Sequence, residues 1–274
     1  MQDFSFQLQI AVELARQAGR LILDIYDTDF SVSYKGKSDP VTEADQRAND
    51  LIVEGLQRQF PQDLIVAEES SLPNETINSN FVWYVDPLDG TKEFIAKNGE
   101  FSVMIGLALN EKACLGVVYR PDNDILYSGI SEHQAWIEIA GEKKLLQTNC
   151  HTDPRELSLV VSRSHRNPLM GEIKTAIGLH HEIPSGSVGL KIGLIASGQA
   201  DVYLEPGPYT SAWDACAPDA ILRGAGGRFS DIFGNPIRYH PTTLKNTHGL
   251  LGTNGSCHDQ VIQAIAPIVK RLGS

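Results

Sequence analysis

The sequence predicts a mixed α+β and α/β protein whose two subdomains pack tightly against each other. Three patterns predict this class. Apolar residues recur at helical spacing near the N-terminus, apolar segments bounded by turn residues fill positions 102–139, and strand and helix patterns alternate beyond position 152. No low-complexity segment separates the two halves. We therefore expect subdomains at 1–152 and 153–274 that share an interface.

Two helices are expected in the first 60 positions. The first is indicated by apolar residues at helical spacing, namely Ile10, Leu14, Ala18, Leu21, Ile22 and Ile25. The second begins near Thr42, which can act as an N-cap, and Glu43 and Asp45 then occupy a first turn that favours acidic side chains. Between the helices, 33–40 is predicted to be a polar loop. Its segment 35–37 either closes over a site or stays solvated.

The central part of the chain is predicted to form a sheet. Positions 64–67 and 81–85 are apolar strand segments, and the second ends abruptly at Asp86-Pro87. A helical turn is expected to start at Gly90-Thr91. Further antiparallel strands are predicted at 102–109, 113–120, 125–130 and 134–139.

Strands and helices then alternate in the second half of the chain. Strands are predicted at 157–162, 200–204 and 250–253. Helices are predicted at 168–177, 190–196, 213–224 and 259–272. Gly198 is well placed to end the second of these helices. A hairpin-like segment is expected at 227–237, around Gly234-Asn235-Pro236.

The charge balance restricts the partners that the protein can bind. The chain has 23 basic and 34 acidic residues, for a net charge of −11. A protein with this negative net charge repels nucleic acid backbones and anionic membranes, so no long nucleic acid is expected as a partner. A small phosphorylated substrate would need a positive centre between itself and the protein, and bound divalent cations would supply it.

Cysteine spacing and apolar segment lengths indicate the compartment. Cys114, Cys150, Cys216 and Cys257 are irregularly spaced, which predicts buried free thiols in a reducing environment. No apolar stretch approaches the roughly 18–20 residues of a membrane span, and no basic-apolar leader is visible. We therefore expect no integral membrane segment, a cytoplasmic location, and a monomer or a homodimer.

The sharpest motif is Asp86-Pro87-Leu88-Asp89-Gly90-Thr91. A strand delivers two carboxylates to one turn, with the Leu88 carbonyl between them, and such oxygens bind hard cations. The amides of Gly90 and Thr91 at a helix start can hold a phosphate oxygen. The alternative is a structural Asp-rich turn before a capped helix. A calcium loop of the EF-hand type fits poorly because its alternate-residue ligands are missing.

Four further acidic residues, at three places in the sequence, each have two interpretations. One interpretation of Glu68 and Glu69 is a solvated acidic pair. The other applies if strand 64–67 neighbours strand 81–85, because Glu68 would then reach the same cation site. Asp214 is either a helix cap or part of a tightly packed site wall beside Trp213. Asp45 is either a first-turn helix charge or a peripheral metal ligand.

Four segments together resemble the inositol monophosphatase superfamily. They are Asp39-Pro40-Val41-Thr42-Glu43-Ala44-Asp45, Val66-Ala67-Glu68-Glu69-Ser70, Asp86-Pro87-Leu88-Asp89-Gly90-Thr91 and Trp213-Asp214-Ala215-Cys216-Ala217. They occur in the order and spacing of that family, over essentially the full length. The resemblance implies a layered α-β-α-β-α sandwich of the inositol monophosphatase / sugar phosphatase type. It also implies a Mg²⁺-dependent, lithium-sensitive phosphoric monoester hydrolase.

Within the superfamily, the chain is most similar to the 3'(2'),5'-bisphosphate nucleotidase branch. The similarity lies in Asp89-Gly90-Thr91-Lys92-Glu93-Phe94, Val161-Ser162-Arg163-Ser164-His165 and the Pro218 that extends the Trp213 motif. This implies hydrolysis of adenosine 3',5'-bisphosphate to AMP and phosphate, within sulfur metabolism. The alternatives are an inositol or sugar monophosphate phosphatase and a non-catalytic sensor of a phospho-ligand or metal.

The resemblance also implies a role for each matching residue. Two or three Mg²⁺ ions would be held by Glu68, Asp86, Asp89, Asp214 and the Leu88 carbonyl. Asp45 would join an outer ion through water, and Thr91 with Glu68 would activate the attacking water. Substrate contacts would come from Gly90, Thr91, Arg163, His165, Ser187, Lys191 and Asp214. Most metal ligands thus fall in 1–152.

Two positions depart from the nucleotidase pattern. Glu205 stands where some bacterial nucleotidases carry an arginine, and Gly189 interrupts what is often a Ser-Ser-Leu-Lys run. Both differences bear on the second phosphate pocket and leave the predicted metal centre unchanged.

Overall fold

The computed structural model describes residues 3–36, 39–71, 79–164 and 167–271. Its helices are α1 (Ser5–Tyr26), α2 (Glu43–Gln59), α3 (Thr91–Ile95), α4 (Met170–Ile177), α5 (Val188–Ala196), α6 (Ala212–Gly224) and α7 (His258–Lys270). Its strands are β1 (Val32–Gly36), β2 (Asp39–Thr42), β3 (Leu64–Ala67), β4 (Phe81–Asp89), β5 (Ser102–Leu109), β6 (Lys112–Arg120), β7 (Ile125–Ile130), β8 (Gln134–Ile139), β9 (Glu142–Leu145), β10 (Ser158–Ser162), β11 (His181–Ser185), β12 (Val202–Glu205), β13 (Arg228–Ser230) and β14 (Leu250–Thr253).

The larger sheet has the strand order β3-β4-β5-β6-β7-β8-β9. The β3–β4 pair is parallel, and the later neighbours are antiparallel. Trp83 and Val85 lie in the core that α1 and α2 complete, whereas Val82 and Tyr84 lie in the core that α5 and α6 complete. Since helices cover both faces of this sheet, the sequence of β4 is a continuous apolar run and does not alternate between apolar and polar residues.

The smaller sheet has the order β11-β10-β12-β14-β13. Helices α5 and α6 pack between the two sheets, with side chains from both in one core. Helices α4 and α7 cover the outer face, where Ile173 and Ile265 pack with Leu159 of β10. With α1 and α2 outside the larger sheet, the order of layers is α-β-α-β-α, which confirms the predicted fold class. The division into subdomains at 152/153 stays a prediction.

Helix α6 lies against the backbone of the larger sheet. A methyl group at Gly106 of β5 would lie 2.6 Å from the Ala217 amide nitrogen, and one at Gly116 of β6 would overlap the Ala217 carbonyl oxygen. Only glycine permits so close an approach of strand and helix backbones. This contact sets how closely α6, and with it Asp214, approaches the larger sheet.

Several local predictions are confirmed, and others need correction. Thr42 caps α2, and Asp45 completes the capping box. The predicted loop 33–40 instead contains the β1–β2 hairpin, whose backbone pairing needs no apolar alternation. The predicted hairpin at 227–237 is wrong, because β13 pairs with β14. The Asp231 carboxylate instead accepts hydrogen bonds from the amides of a tight turn at 233–235.

Two further strands, β9 and β11, have no counterpart among the predicted elements. β9 is fully exposed and has no apolar face, and β11 is an edge strand that contains Pro184.

All four cysteines are unpaired, but Cys150 is exposed rather than buried. Within the described ranges, no helix has both the length and the apolar composition that crossing a membrane requires.

Candidate metal centre

Three carboxylates meet where β4 ends and α6 begins. Asp86 and Asp89 lie on β4, Asp214 lies in the first turn of α6, and their ligand oxygens are within 4.8 Å of one another. Oxygen atoms this close can share a hard cation. The structure therefore brings together three residues that the sequence separates by up to 128 positions.

A bulge in β4 places Asp86 and Asp89 on the same side. Residues three apart in a regular strand point to opposite faces of the sheet. Here Asp86 pairs with Met104 and Asp89 with Ser102, so three steps along β4 match two along β5. The extra residue reverses the alternation, and Pro87 is tolerated there because a bulge leaves one residue without its ladder hydrogen bond.

Each of the three carboxylates has one oxygen held by a backbone amide. The bonds are Leu88 N–H to Asp86 Oδ1 (2.9 Å), Gly189 N–H to Asp89 Oδ2 (3.2 Å) and Ser211 N–H to Asp214 Oδ2 (2.5 Å). The second oxygen of each side chain is then available to a cation. Such hydrogen bonds fix a metal ligand in one orientation before the metal arrives.

Glu68 lies next to this group because β3 runs parallel to β4. Ala67 pairs with Val85, and the Glu68 amide donates to the Val85 carbonyl at 3.0 Å. This is the neighbour relationship on which the metal interpretation of Glu68 depended. The Glu68 Oε1 atom is 3.1 Å from Lys35 Nζ, and Lys35 also contacts Glu69. The segment 35–37 thus reaches the site through Lys35, while Lys37 lies outside the described residues.

The electrostatics of the cluster favour cation binding. Burial, followed by the charges of Glu68, Asp89 and Asp214, raises the pKa of Asp86 well above its usual value. Burial and the charges of Asp89 and Glu68 raise the pKa of Asp214 in the same way. Carboxylates that repel one another in a desolvated space are stabilised by a bound cation.

Lys35 and Glu69 form an ion pair at the edge of the cluster. Burial alone would lower the pKa of Lys35, but the carboxylates of Glu68 and Glu69 outweigh it and raise the pKa. Burial raises the pKa of Glu69 to about 7, against the opposing effect of Lys35.

Thr91 and Asp45 form a second polar pair beside the carboxylates. The Thr91 hydroxyl lies 3.0 Å from Asp45 Oδ1 and 3.3 Å from the Leu88 carbonyl oxygen. Asp45 Oδ2 accepts from the amide and the hydroxyl of Thr42, at 2.8 and 2.6 Å. Asp45 is therefore a helix cap and a neighbour of the site at once, and burial raises its pKa.

The predicted substrate contacts have varied surroundings. Gly90 adopts a left-handed conformation (φ 98°) at the start of α3. Lys191 is 4% exposed and donates from Nζ to the Ser187 carbonyl at 2.9 Å, and its pKa is lowered by burial. Arg163 is exposed and makes two hydrogen bonds to Glu100, at 2.6 and 2.7 Å. His165 lies outside the described residues.

Ser187, a predicted substrate contact, lies beside a predicted metal ligand. Its hydroxyl lies 2.6 Å from Asp89 Oδ2, so it contacts a predicted metal ligand. Ser102 and the Gly189 amide join the same arrangement, and sequence reasoning assigned a role to neither. The Gly189 donor is a backbone group, which leaves no side-chain signal in a sequence. Ser102 is recognisable only once the register places it opposite Asp89.

The two departures from the nucleotidase pattern also lie near the site. A methyl group at Gly189 would lie 2.7 Å from Met104 Sδ and from a Val118 methyl, so the position has no room for a side chain. The Glu205 carboxylate accepts from the Gly207 amide at 3.0 Å and from Asn167 at 3.3 Å. Burial raises the pKa of Glu205.

Comparisons with known proteins agree with this architecture. A model of the inositol monophosphatase family matches residues 4–270. The 3'(2'),5'-bisphosphate nucleotidase CysQ of Shigella flexneri is 40% identical over 233 residues, which are 84% of this chain and 92% of that protein.

Two solved structures are similar in fold. CysQ from Bacteroides thetaiotaomicron, described as a bacterial member of the inositol monophosphatase family, has a TM-score of 0.76 at 30% identity and covers 91% of this chain and 97% of its own. The extragenic suppressor protein suhB from Bartonella henselae has a TM-score of 0.82 at 24% identity and covers 95% and 98%. The second likeness bears on the fold alone.

Proposed function

Because the chain belongs to the inositol monophosphatase family, we propose that it is a metal-dependent phosphomonoesterase that converts adenosine 3',5'-bisphosphate to AMP and phosphate. The observation that carries the proposal is the convergence of Asp86, Asp89 and Asp214, each with one oxygen held by an amide and one available. The choice of substrate class is supported by the 40% identity to a 3'(2'),5'-bisphosphate nucleotidase.

The donor set fits Mg²⁺ better than a softer metal. All the candidate ligands are oxygen atoms: the carboxylates of Glu68, Asp86, Asp89 and Asp214 and the Leu88 carbonyl. We assign two or three Mg²⁺ ions to them, with Asp45 at an outer position. When bound, these ions would neutralise the phosphate charge and make the attacking water more acidic.

Thr91 would orient the attacking water. Its hydroxyl proton is directed to Asp45 Oδ1, which leaves its oxygen to accept a hydrogen bond from a water molecule. Asp45 could then receive the proton through Thr91, and Glu68 would hold the other side of the water. In-line attack on phosphorus releases the ester oxygen, and no covalent phosphoenzyme is required.

The chain's own donors would hold the phosphate groups. We assign the amides of Gly90 and Thr91, at the start of α3, to the reacting phosphate. Lys191 supplies a buried positive charge for the second phosphate. Arg163 and His165 are assigned to the nucleotide, and Arg163 would have to exchange its pair with Glu100 for the ligand.

The compartment and assembly belong to the proposal as well. The four unpaired thiols are compatible with a reducing compartment, and we assign the protein to the cytoplasm. A monomer or a homodimer remains the expectation.

Rates on a substrate panel test the proposal directly. Phosphate release is measured with adenosine 3',5'-bisphosphate, inositol 1-phosphate and fructose 1,6-bisphosphate, each with and without Mg²⁺. We expect the highest kcat/KM on the bisphosphate nucleotide, only with Mg²⁺ present. A preference for inositol 1-phosphate or fructose 1,6-bisphosphate would replace the substrate assignment. Absence of phosphate release from all three would favour a non-catalytic sensor.

A further inference from the structure

The Ser187 side chain is buried in the wall of the metal site. It is 4% exposed, and its hydroxyl lies 2.6 Å from Asp89 Oδ2, 2.8 Å from the Ser102 hydroxyl and 3.1 Å from the Leu190 amide. A serine hydroxyl has one proton to donate and two lone pairs to accept with. Three neighbours therefore use its full hydrogen-bonding capacity.

The chemistry of the neighbours fixes the direction of each bond. A carboxylate that holds a cation only accepts hydrogen bonds, so the Ser187 proton goes to Asp89 Oδ2. The Leu190 amide can only donate. The remaining bond, to Ser102, must then run from the Ser102 hydroxyl to Ser187 Oγ. This chain of donors ends on the metal ligand.

The backbone at Ser187 is held in an unfavourable conformation. Its φ of 51° and ψ of 132° place a non-glycine residue on the positive-φ side, while its hydroxyl caps helix α5. Such conformations persist where the surrounding structure imposes them, and they are concentrated at functional sites. Here the imposed conformation aims the hydroxyl at Asp89, 98 positions away in the chain.

We propose that Ser187 is a positioning residue for Asp89. Its proton, together with the Gly189 amide, occupies Oδ2 and presents Oδ1 to the cation. Ser102 acts indirectly. Its hydroxyl donates to Ser187 Oγ, so the Ser187 proton is left for Asp89. Ser187 therefore serves the metal centre rather than the substrate. The inference rests on the proposed metal site, and it predicts an effect on cation affinity that is separable from substrate specificity.

The test compares Mg²⁺ affinity, measured by titration calorimetry, between the wild-type chain and four variants. Ser187→Ala and Ser187→Gly both remove the hydroxyl, and both are expected to weaken Mg²⁺ binding on the order of 10–100-fold. Ser102→Ala leaves the Asp89 bond in place and should have a smaller effect. Ser230→Ala removes an equally buried hydroxyl from the C-terminal core and should leave the affinity within about twofold, as expected for a site outside the coordination network.

The glycine variant separates positioning from folding. Glycine adopts positive φ readily, so Ser187→Gly should melt at a higher temperature than Ser187→Ala while binding Mg²⁺ equally poorly. An affinity within about twofold of wild type in both variants would overturn the proposal, since supporting residues of this kind change affinity by more.

Failure of the proposed function gives a different result. A wild-type chain that binds Mg²⁺ but hydrolyses no substrate contradicts the enzyme assignment, and the affinity comparison still decides the role of Ser187. A wild-type chain that binds no Mg²⁺ overturns both.

Discussion

Asp86 and Asp89 turn their carboxylates toward the same space although they lie three positions apart on β4. The bulge at Pro87 produces this arrangement, and the amides of Leu88 and Gly189 hold it.

Asp89→Asn should abolish catalysis without unfolding the protein. The amide has the size of the carboxylate but no charge. Its oxygen would still accept from Ser187 and from the Gly189 amide, so its NH₂ group would face the cation position. Turnover of the bisphosphate nucleotide should fall by orders of magnitude, while the far-UV circular dichroism spectrum and the melting temperature without Mg²⁺ stay near wild type. Substantial phosphatase activity in this variant would remove Asp89 from the mechanism.

Thr91→Val should lower kcat and leave Mg²⁺ affinity nearly unchanged. Valine keeps the shape but cannot pass a proton to Asp45. Loss of a positioned proton-transfer group reduces kcat by about 10²–10⁴-fold. Thr175→Val is the matched control, because its hydroxyl bonds only the Gly171 carbonyl in helix α4. Equal kcat values for the two variants would contradict the role of Thr91.

Gly116→Ala should destabilise the fold and disturb the metal centre. The added methyl would overlap the Ala217 carbonyl and push α6, with Asp214, away from the sheet. Overpacking of this kind costs about 1–3 kcal/mol in unfolding free energy. Gly171→Ala is the control, since a methyl there meets open space, and it should be neutral or stabilising by about 0.5–1 kcal/mol. Urea denaturation measures both, and an equal effect would refute the close-packing argument.

Mg²⁺ should stabilise the folded protein beyond the effect of ionic strength. The ion relieves repulsion among buried carboxylates and binds only the folded arrangement, so saturation at 100 times Kd should add about 2.7 kcal/mol. Melting curves with MgCl₂, with NaCl at equal ionic strength and with a chelator provide the measurement. Asp214→Asn should lose most of the Mg²⁺-specific increase, and an increase of wild-type size would contradict the ligand assignment.

His258 should make stability depend on pH in the acidic range. Its ring is buried between the hydroxyls of Thr253 and Ser230, and burial lowers its pKa from 6.5 to about 4. Since the folded pKa lies below the unfolded value, the unfolded state binds the proton more tightly. The contribution of His258 to stability is therefore full above about pH 6.5 and is lost as the pH falls towards 4.

Urea denaturation across that range measures the effect. Relative to His258→Gln, the unfolding free energy of the wild-type chain should fall by on the order of 3 kcal/mol. His258→Gln, which keeps a polar side chain without the titration, should show a shallower fall. Parallel curves for the two proteins would show that other groups cause the change.

Much of the site was predictable from local sequence. The apolar run before Asp86-Pro87 identified a buried strand that ends in carboxylates, and Thr42 with Asp45 identified a helix start. These features depend on residues within one turn or one strand. Local hydrogen-bonding and hydrophobic burial determine them almost independently of the rest of the chain.

The remaining relationships depend on how distant elements pack. Nothing in the sequence around Ser187 indicates that its hydroxyl bonds Asp89, or that Ser102 lies opposite Asp89 in the register. Nor does the local pattern near Asp214 show that Gly106 and Gly116 let α6 approach the sheet closely enough to complete the centre. Local sequence therefore predicts the candidate ligands and the elements that carry them. Only packing brings their oxygens together, because strand register and helix approach depend on contacts between residues far apart in the chain.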